Sequence, residues 1–354
     1  MRFVRGSPVN VCTDTSADIT SGRSIRKILV IRIDRIGDLV CTVPAIKTVK
    51  EHYQGAEITA LLSSCNASLL ADTGLVDEII VWCKGKRDII KKLKDRHFDI
   101  VLVFSPVTEA YTIAFKTGSP VRIGTVIKSR ILTGFFASFC LTGMFLLNQE
   151  ERLLKKEEII HEVEKGFKLL EILGIKDFNR DISIPLPESV IAEGREYLKS
   201  ISFKDQKGII TLPLCCRYNS AGWDADNFTI LARKLREKFP DYLLFITFGE
   251  KEEKDGKALQ KIFNDIEGVT VKGDIPLQMW MSYMKYMSAV ISIDSGAVHL
   301  ASSWKVPSVV LYPKDIYELC RQEWTPWDVS YRQLIIKDFK ETSDEIIAAL
   351  GELL

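Results

Sequence analysis

Short apolar runs alternate with stretches of helical periodicity along almost the whole chain. Residues 27–33 (KILVIRI), 57–62, 78–82 and 100–104 are near-continuous apolar runs. That is the pattern of parallel strands covered on both faces. Between them, residues 39–52, 67–73, 87–96 and 108–117 carry helix-like patterns, and 121–124 reads as a short strand. Residues 151–173 read as one long amphipathic helix, because Ile159, Val163, Phe167, Leu170 and Leu173 recur at helical spacing and Gly174 is placed to end it. Ile184-Pro185-Leu186-Pro187 and the polar stretch 204–207 mark a boundary. A second alternation follows: strands at 208–212, 242–248, 269–272, 288–291 and 308–312, with helices at 227–239, after 250–254, at 278–287 and at 342–354. The alternation predicts an α/β protein with two doubly wound domains. The halves share this style without a repeat in sequence.

Composition adds little to that picture. The chain has 354 residues, 46% hydrophobic and 27% charged, with a net charge of +1. This suits a soluble globular protein of two domains and carries no nucleic-acid signature. The eight cysteines form no paired C-x-x-C pattern, and most sit in apolar stretches. They read as reduced thiols in a cytoplasmic protein. The four scattered histidines give no metal spacing. Residues 1–24 read as a flexible polar tail. The run 131–147 (ILTGFFASFCLTGMFLL) is free of charge but short of the roughly 20 residues a membrane span needs. It reads as a buried or surface helix. Lys128 and Arg130 just before it favour peripheral contact with a membrane face.

Two polar turns follow buried strands and hold the candidate chemistry. Asp34-Arg35-Ile36-Gly37-Asp38 lies after the first strand. Ligands of open α/β sheets bind at such carboxyl ends. Asp38 is there either a helix cap or a catalytic carboxylate, and Arg35 either an anion ligand or an ion-pair partner of the neighbouring aspartates. The second turn opens SIDSGAVHLASSWKVP, residues 292–307. Ser295 caps a helix, Gly296 lets the backbone approach a ligand, and free N–H groups at the helix start suit a phosphate. Asp294 precedes the cap, and His299 lies one turn inside. The fingerprint G-x-G-x-x-G is missing after the first strand, which argues against a nicotinamide enzyme. Asp224-Ala225-Asp226 is formally a D-x-D, but its place just before a helix reads as capping.

Residues 27–44 (KILVIRIDRIGDLVCTVP) and 292–307 together resemble the ADP-heptose:lipopolysaccharide heptosyltransferase family, glycosyltransferase family 9. The first stretch is similar to that family's R-x-D-x-x-G-D turn and the second to its D-S/T-G-x-x-H motif. His161-Glu162-Val163 is similar to its mid-chain helix. The resemblance implies two Rossmann-like domains facing a cleft, the glycosyltransferase B architecture. It places an acceptor-binding domain at 25–187, a nucleotide-sugar domain at 188–335, and a last helix at 336–354 that crosses back to the first domain. It implies transfer of heptose from ADP-heptose to a lipopolysaccharide core acceptor, with Asp38 as general base. Donor contacts fall to Asp294, Ser295, Gly296, His299, Arg217 and Glu252 or Glu253. Asp34 and Arg35 fall on the acceptor side. No cofactor and no essential metal are implied. One departure stands out: where the family has K-x-W-P, this chain has Ala221 and Asp224 around Trp223. Arg217, four residues earlier, is one candidate to replace the missing lysine; weaker donor affinity is the alternative. The departure leaves open a different sugar-nucleotide donor, an epimerase, or a non-catalytic nucleotide-sugar-binding protein.

Overall fold

The structure is a computed structural model that describes residues 24–83, 85, 87–201 and 206–354. The tail expected over residues 1–24 lies, apart from Ser24, outside the described residues. The first sheet contains β1 (Lys27–Arg32), β2 (Glu57–Ser63), β3 (Glu78–Trp82), β4 (Ile100–Val103), β5 (Val121–Ile127) and β6 (Gly143–Leu147), in the order β3-β2-β1-β4-β5-β6. The second contains β7 (Gly208–Pro213), β8 (Tyr242–Phe248), β9 (Val269–Gly273), β10 (Ala289–Ile293), β11 (Ser308–Tyr312) and β12 (Tyr331–Ile335), in the order β12-β11-β10-β7-β8-β9. Neighbouring strands pair in parallel throughout both sheets. Read from its other edge, the second sheet repeats the order of the first. In each, the order reverses between the first and fourth strands of the half, where ligand crevices form.

The strands follow from their composition. Ile28, Leu29, Val30 and Ile31 of β1 are fully buried, as are Val290, Ile291 and Ile293 of β10. Each such side chain contributes roughly 1.5–3 kcal/mol on burial. Both strands lie inside their sheets and are covered by helices on both faces, so apolar residues point both ways.

Three expectations are corrected by the fold. The long helix expected over residues 151–173 is two helices, Gln149–Leu154 and Glu162–Glu171. Lys156 takes a left-handed φ of 56° after the first, and the ring of His161 accepts the Val163 N–H to start the second. The charged run 155–158 between them is exposed, so it has no apolar face to bury in a continuous helix. The apolar run 131–147 divides into the helix Ile131–Cys140 and β6, and no helix among the described residues is long and apolar enough to cross a membrane. The last helix, Phe339–Gly351, does not cross back. It packs Ile346, Ala349 and Leu350 into the core of the second sheet, and Asp344 pairs with Lys234 at 2.6 Å. The crossing is made instead by residues 323–327. His161 Nε2 lies 2.9 Å from Thr325 O, and the Trp327 indole donates to Arg180 O at 3.0 Å. The strand β12 and the helices Glu188–Ser200 and Tyr317–Glu323 are additions to the expected elements.

Candidate active site

The two polar turns meet. β1 ends in Arg32, and after Asp34 and Arg35 the helix Ile36–His52 begins. β10 ends at Ile293, and after Asp294 and Ser295 the helix Gly296–Ser303 begins. Their starts touch backbone to backbone. A Cβ added to Gly37 would lie 2.8 Å from His299 Cδ2 and 3.3 Å from Gly296 Cα, and one added to Gly296 would lie 3.3 Å from Gly37 N. Gly37 and Gly296 are therefore needed for close approach between the domains. Between the halves lies a cleft of about 740 Å³, lined by Asp34, Arg35 and Asp38 from one side and by Arg217, Asp294 and Ser295 from the other.

On the first side the charges are organised by buried Arg32. Its guanidinium contacts Asp34 at 3.3 Å, Asp38 at 3.4 Å and Glu162 at 2.7 Å, and donates to Phe104 O. Burial works against its charge, but the three carboxylates outweigh it and raise the pKa. Glu162 is shared with Lys165, and Lys165 also binds Glu323 of the other domain. Gln149 donates to the same Glu323 carboxylate at 3.3 Å. Despite burial, the two cations hold Glu162 down at about 2. The same two carboxylates keep Lys165 charged, with its pKa raised although burial opposes it.

Asp38 has a different balance. Its carboxylate accepts the Arg35 N–H at 3.2 Å, so it does cap its helix. Burial pushes it up to about 6, with Asp34 and Glu162 adding to the rise and Arg32 opposing it. A carboxylate titrating near 6 is ionised at neutral pH yet basic enough to take a proton.

On the second side Arg217 pairs with Asp294 at 3.0 Å and also donates to Asp294 O. Burial raises Asp294 above the usual carboxylate range, and Arg217 opposes that shift. Ser295 caps the helix, accepting the Ala297 N–H at 3.3 Å, and its hydroxyl lies 3.0 Å from Ser292 Oγ. The positive end of that helix faces the cleft. Arg217 is held in place by its neighbours: Tyr218 stacks on Trp223 with centroids 5.2 Å apart and accepts the Ile293 N–H at 2.9 Å. Ala221 caps the C-terminal end of the short helix Arg217–Ser220.

His299 is buried at the domain junction, with Nδ1 3.4 Å from Cys41 Sγ. Burial drives it down to about 3, helped by His161, so it is neutral. Glu253 is not brought to the cleft. It pairs with Lys257 one turn along its own helix, whereas Glu252 turns to accept the Cys216 N–H at 2.6 Å. Of the two, Glu252 is the one beside the Arg217 segment. Its carboxylate and the Cys215 and Cys216 thiols lie within 4.8 Å of one another. Asp224 caps the helix Ala225–Lys238 by accepting the Asp226 and Asn227 N–H groups. Sequence reasoning gave no site role to Arg32 and Glu162, although both lie in stretches that carry the family resemblance, and it did not single out Lys165 or Glu323. Arg32 carried a signal: it is a charged residue inside an apolar run that otherwise predicts a strand buried on both faces.

Two parallel-sheet domains meeting over this cleft are the glycosyltransferase B architecture. The family described as glycosyltransferase family 9 (heptosyltransferase) matches residues 86–345. Lipopolysaccharide heptosyltransferase 3 of Escherichia coli strain K12 is 22% identical over 308 residues, covering 82% of each chain. Lipopolysaccharide heptosyltransferase 2 of Salmonella typhimurium is 22% identical over 302 residues, covering 81% of this chain and 82% of that one. Among solved structures, ADP-heptose lps heptosyltransferase II of E. coli superposes with a TM-score of 0.73 at 17% identity, covering 92% of this chain and 98% of that one. The chain belongs to glycosyltransferase family 9, the heptosyltransferases, and is a glycosyltransferase.

Proposed function

We propose that the protein transfers a heptose from ADP-heptose to a lipopolysaccharide inner-core acceptor at the cytoplasmic face of the inner membrane. The observation that carries this reading is Asp38: a cleft carboxylate held by Arg32 and the Arg35 N–H, raised to about 6, opposite the capped helix start at Ser295. The names of the relatives supply the donor and acceptor class. In the reaction, an acceptor hydroxyl gives its proton to Asp38 as its oxygen attacks the anomeric carbon. The bond from that carbon to the diphosphate oxygen breaks, and its electron pair leaves with ADP. The helix start at Gly296 and the Arg217 guanidinium take up the charge on the leaving group. Asp294 accepts from sugar hydroxyls. Asp34 and Arg35 bound the acceptor side, and Arg35 suits a carboxylate or phosphate on the core sugars. His299, neutral and buried, supports the donor helix through Cys41 rather than moving protons.

The test is ADP release with ADP-heptose and a core acceptor. Asp38→Asn is expected to lower kcat by at least about 100-fold while donor affinity by calorimetry stays within about twofold. Asp294→Ala is expected to lose donor binding. Loss of donor binding in Asp38→Asn would overturn the assignment of roles. A second reading, a sugar nucleotide other than ADP-heptose, is favoured by Ala221. Tighter calorimetric binding of a UDP- or GDP-sugar than of ADP-heptose would establish it.

A further inference from the structure

The helix Ile131–Cys140 is amphipathic in the wrong sense for a protein surface. Its large residues point outwards: Ile131, Leu132, Phe135 and Phe139 are 79%, 86%, 68% and 64% exposed. At 100° per residue these four, with Phe136, fall on one face. The residues turned inwards are small: Ala137 and Cys140 are buried, and Gly134 sits over Val126. The helix packs on its neighbour Thr108–Thr117, which adds Phe115, 54% exposed, to the same region. An outward apolar face of this kind marks a surface that something else covers.

The surroundings say what covers it. The helix itself carries no charge, and basic residues flank it: Arg130 and Lys128 at its start, Lys116 at the end of the neighbouring helix, and Arg122, whose guanidinium donates to Cys140 O at the helix's last turn. Lys128 is shared with Glu151, but among the described residues no carboxylate pairs with Arg130, whose guanidinium donates to Pro106 O. Aromatic and aliphatic side chains projecting between cations are the make-up of a helix that lies in a lipid headgroup layer. The helix also adjoins the cleft: Ser129 and Arg130, the residues that lead into it, line the cleft on its acceptor side.

We propose that this helix is a membrane-docking element. Phe135 and Phe139 insert among the lipids of an anionic bilayer, Lys128 and Arg130 contact its headgroups, and the mouth of the cleft is thereby held against the surface. A lipid-linked acceptor then enters the cleft from the bilayer plane. That last link rests on the glycolipid acceptor proposed above; the docking itself does not.

The experiment is co-sedimentation of the full chain with vesicles of phosphatidylcholine alone or with 30% phosphatidylglycerol, at low and high salt. The wild type is expected to sediment with the anionic vesicles, less so at high salt. Phe135→Ser/Phe139→Ser is expected to lower partitioning by at least about tenfold, because two large apolar contacts are lost. Lys128→Glu/Arg130→Glu should abolish the anionic preference. Since Phe135 and Phe139 are exposed, the double serine variant should keep its thermal midpoint. It should also keep its kcat on a detergent-free, delipidated acceptor and lose activity only on acceptor embedded in vesicles. Failure of the wild type to bind anionic vesicles, or equal binding by the serine variant, overturns docking. So does a lipid-free dimer in analytical ultracentrifugation that the serine variant dissociates, which would assign the face to a second copy. Sedimentation and ultracentrifugation do not depend on which sugar nucleotide is used, so docking and donor assignment fail separately.

Discussion

Glu162→Gln tests the electrostatic design of the site without touching the proposed base. Glu162 and Asp38 bind the same Arg32 nitrogen, at 2.7 and 3.4 Å, so their oxygens are no more than about 6 Å apart. At an effective dielectric near 20, that separation corresponds to about 3 kcal/mol of repulsion, or about two pH units. The Glu162 charge raises the pKa of Asp38, so its removal lowers it. Release of Arg32 from Glu162 acts in the same direction. The acidic limb of the kcat/KM profile, expected near 6, should move down by about 1–2 pH units. A weaker base should also cost about threefold to tenfold in kcat above pH 7. The change leaves a buried cation less well paired and should lower stability by roughly 3 kcal/mol, so thermal melts should accompany the kinetics at every pH. An acidic limb that stays in place or rises, in a folded variant, would refute both the coupling and the role of Asp38.

The remaining predictions follow from contacts in the two halves. Gly37→Ala should favour its helix by about 1 kcal/mol on propensity, yet its Cβ meets the other domain's backbone at Gly296. The expected result is at least a tenfold fall in kcat/KM with little change in melting temperature, and a larger radius of gyration by small-angle scattering. Arg217→Ala should raise the donor dissociation constant by about tenfold to 100-fold, read by calorimetry, and should cost about 1–3 kcal/mol in stability because buried Asp294 loses its partner. Tyr218→Phe leaves the buried Ile293 N–H without its acceptor and should cost about 1–3 kcal/mol in urea unfolding.

Most strands were legible because parallel strands buried on both faces must be continuous apolar runs, as in KILVIRI and SAVISI. The same rule hid β6: in 131–147 a helix and a strand are both apolar, and hydropathy alone does not divide them. The break at Lys156 was hidden because the apolar positions on either side happen to keep helical phase. The turns bearing Asp38 and Asp294 were legible as strand ends, and Ser295 and Asp224 as caps, since capping is local chemistry. Glu162 and Lys165 were not. On a sequence they are an ordinary pair three residues apart on a helix, and only the fold sets Arg32 beneath them and Glu323 across from them. The place of Gly37 was legible, but its reason was not, because its partner Gly296 lies in the other half of the chain.

Both sheets have one strand order, but they place their carboxylates differently. Asp38 follows the first strand of its half and Asp294 the fourth of its own. Each sheet thus contributes the opposite lip of its crevice, and every strand of the first sheet precedes every strand of the second. In evolutionary terms a single recombination event between β6 and β7 would separate the two sheets. A lineage can exchange one whole lip, with its loops and its exposed helix, and inherit the other intact. The constraint on such an exchange lies along the seam: a glycine at each helix start, Lys165 and Gln149 on Glu323, His161 on Thr325, Trp327 on Arg180, and the apolar packing of Met281 and Leu300 against the first half.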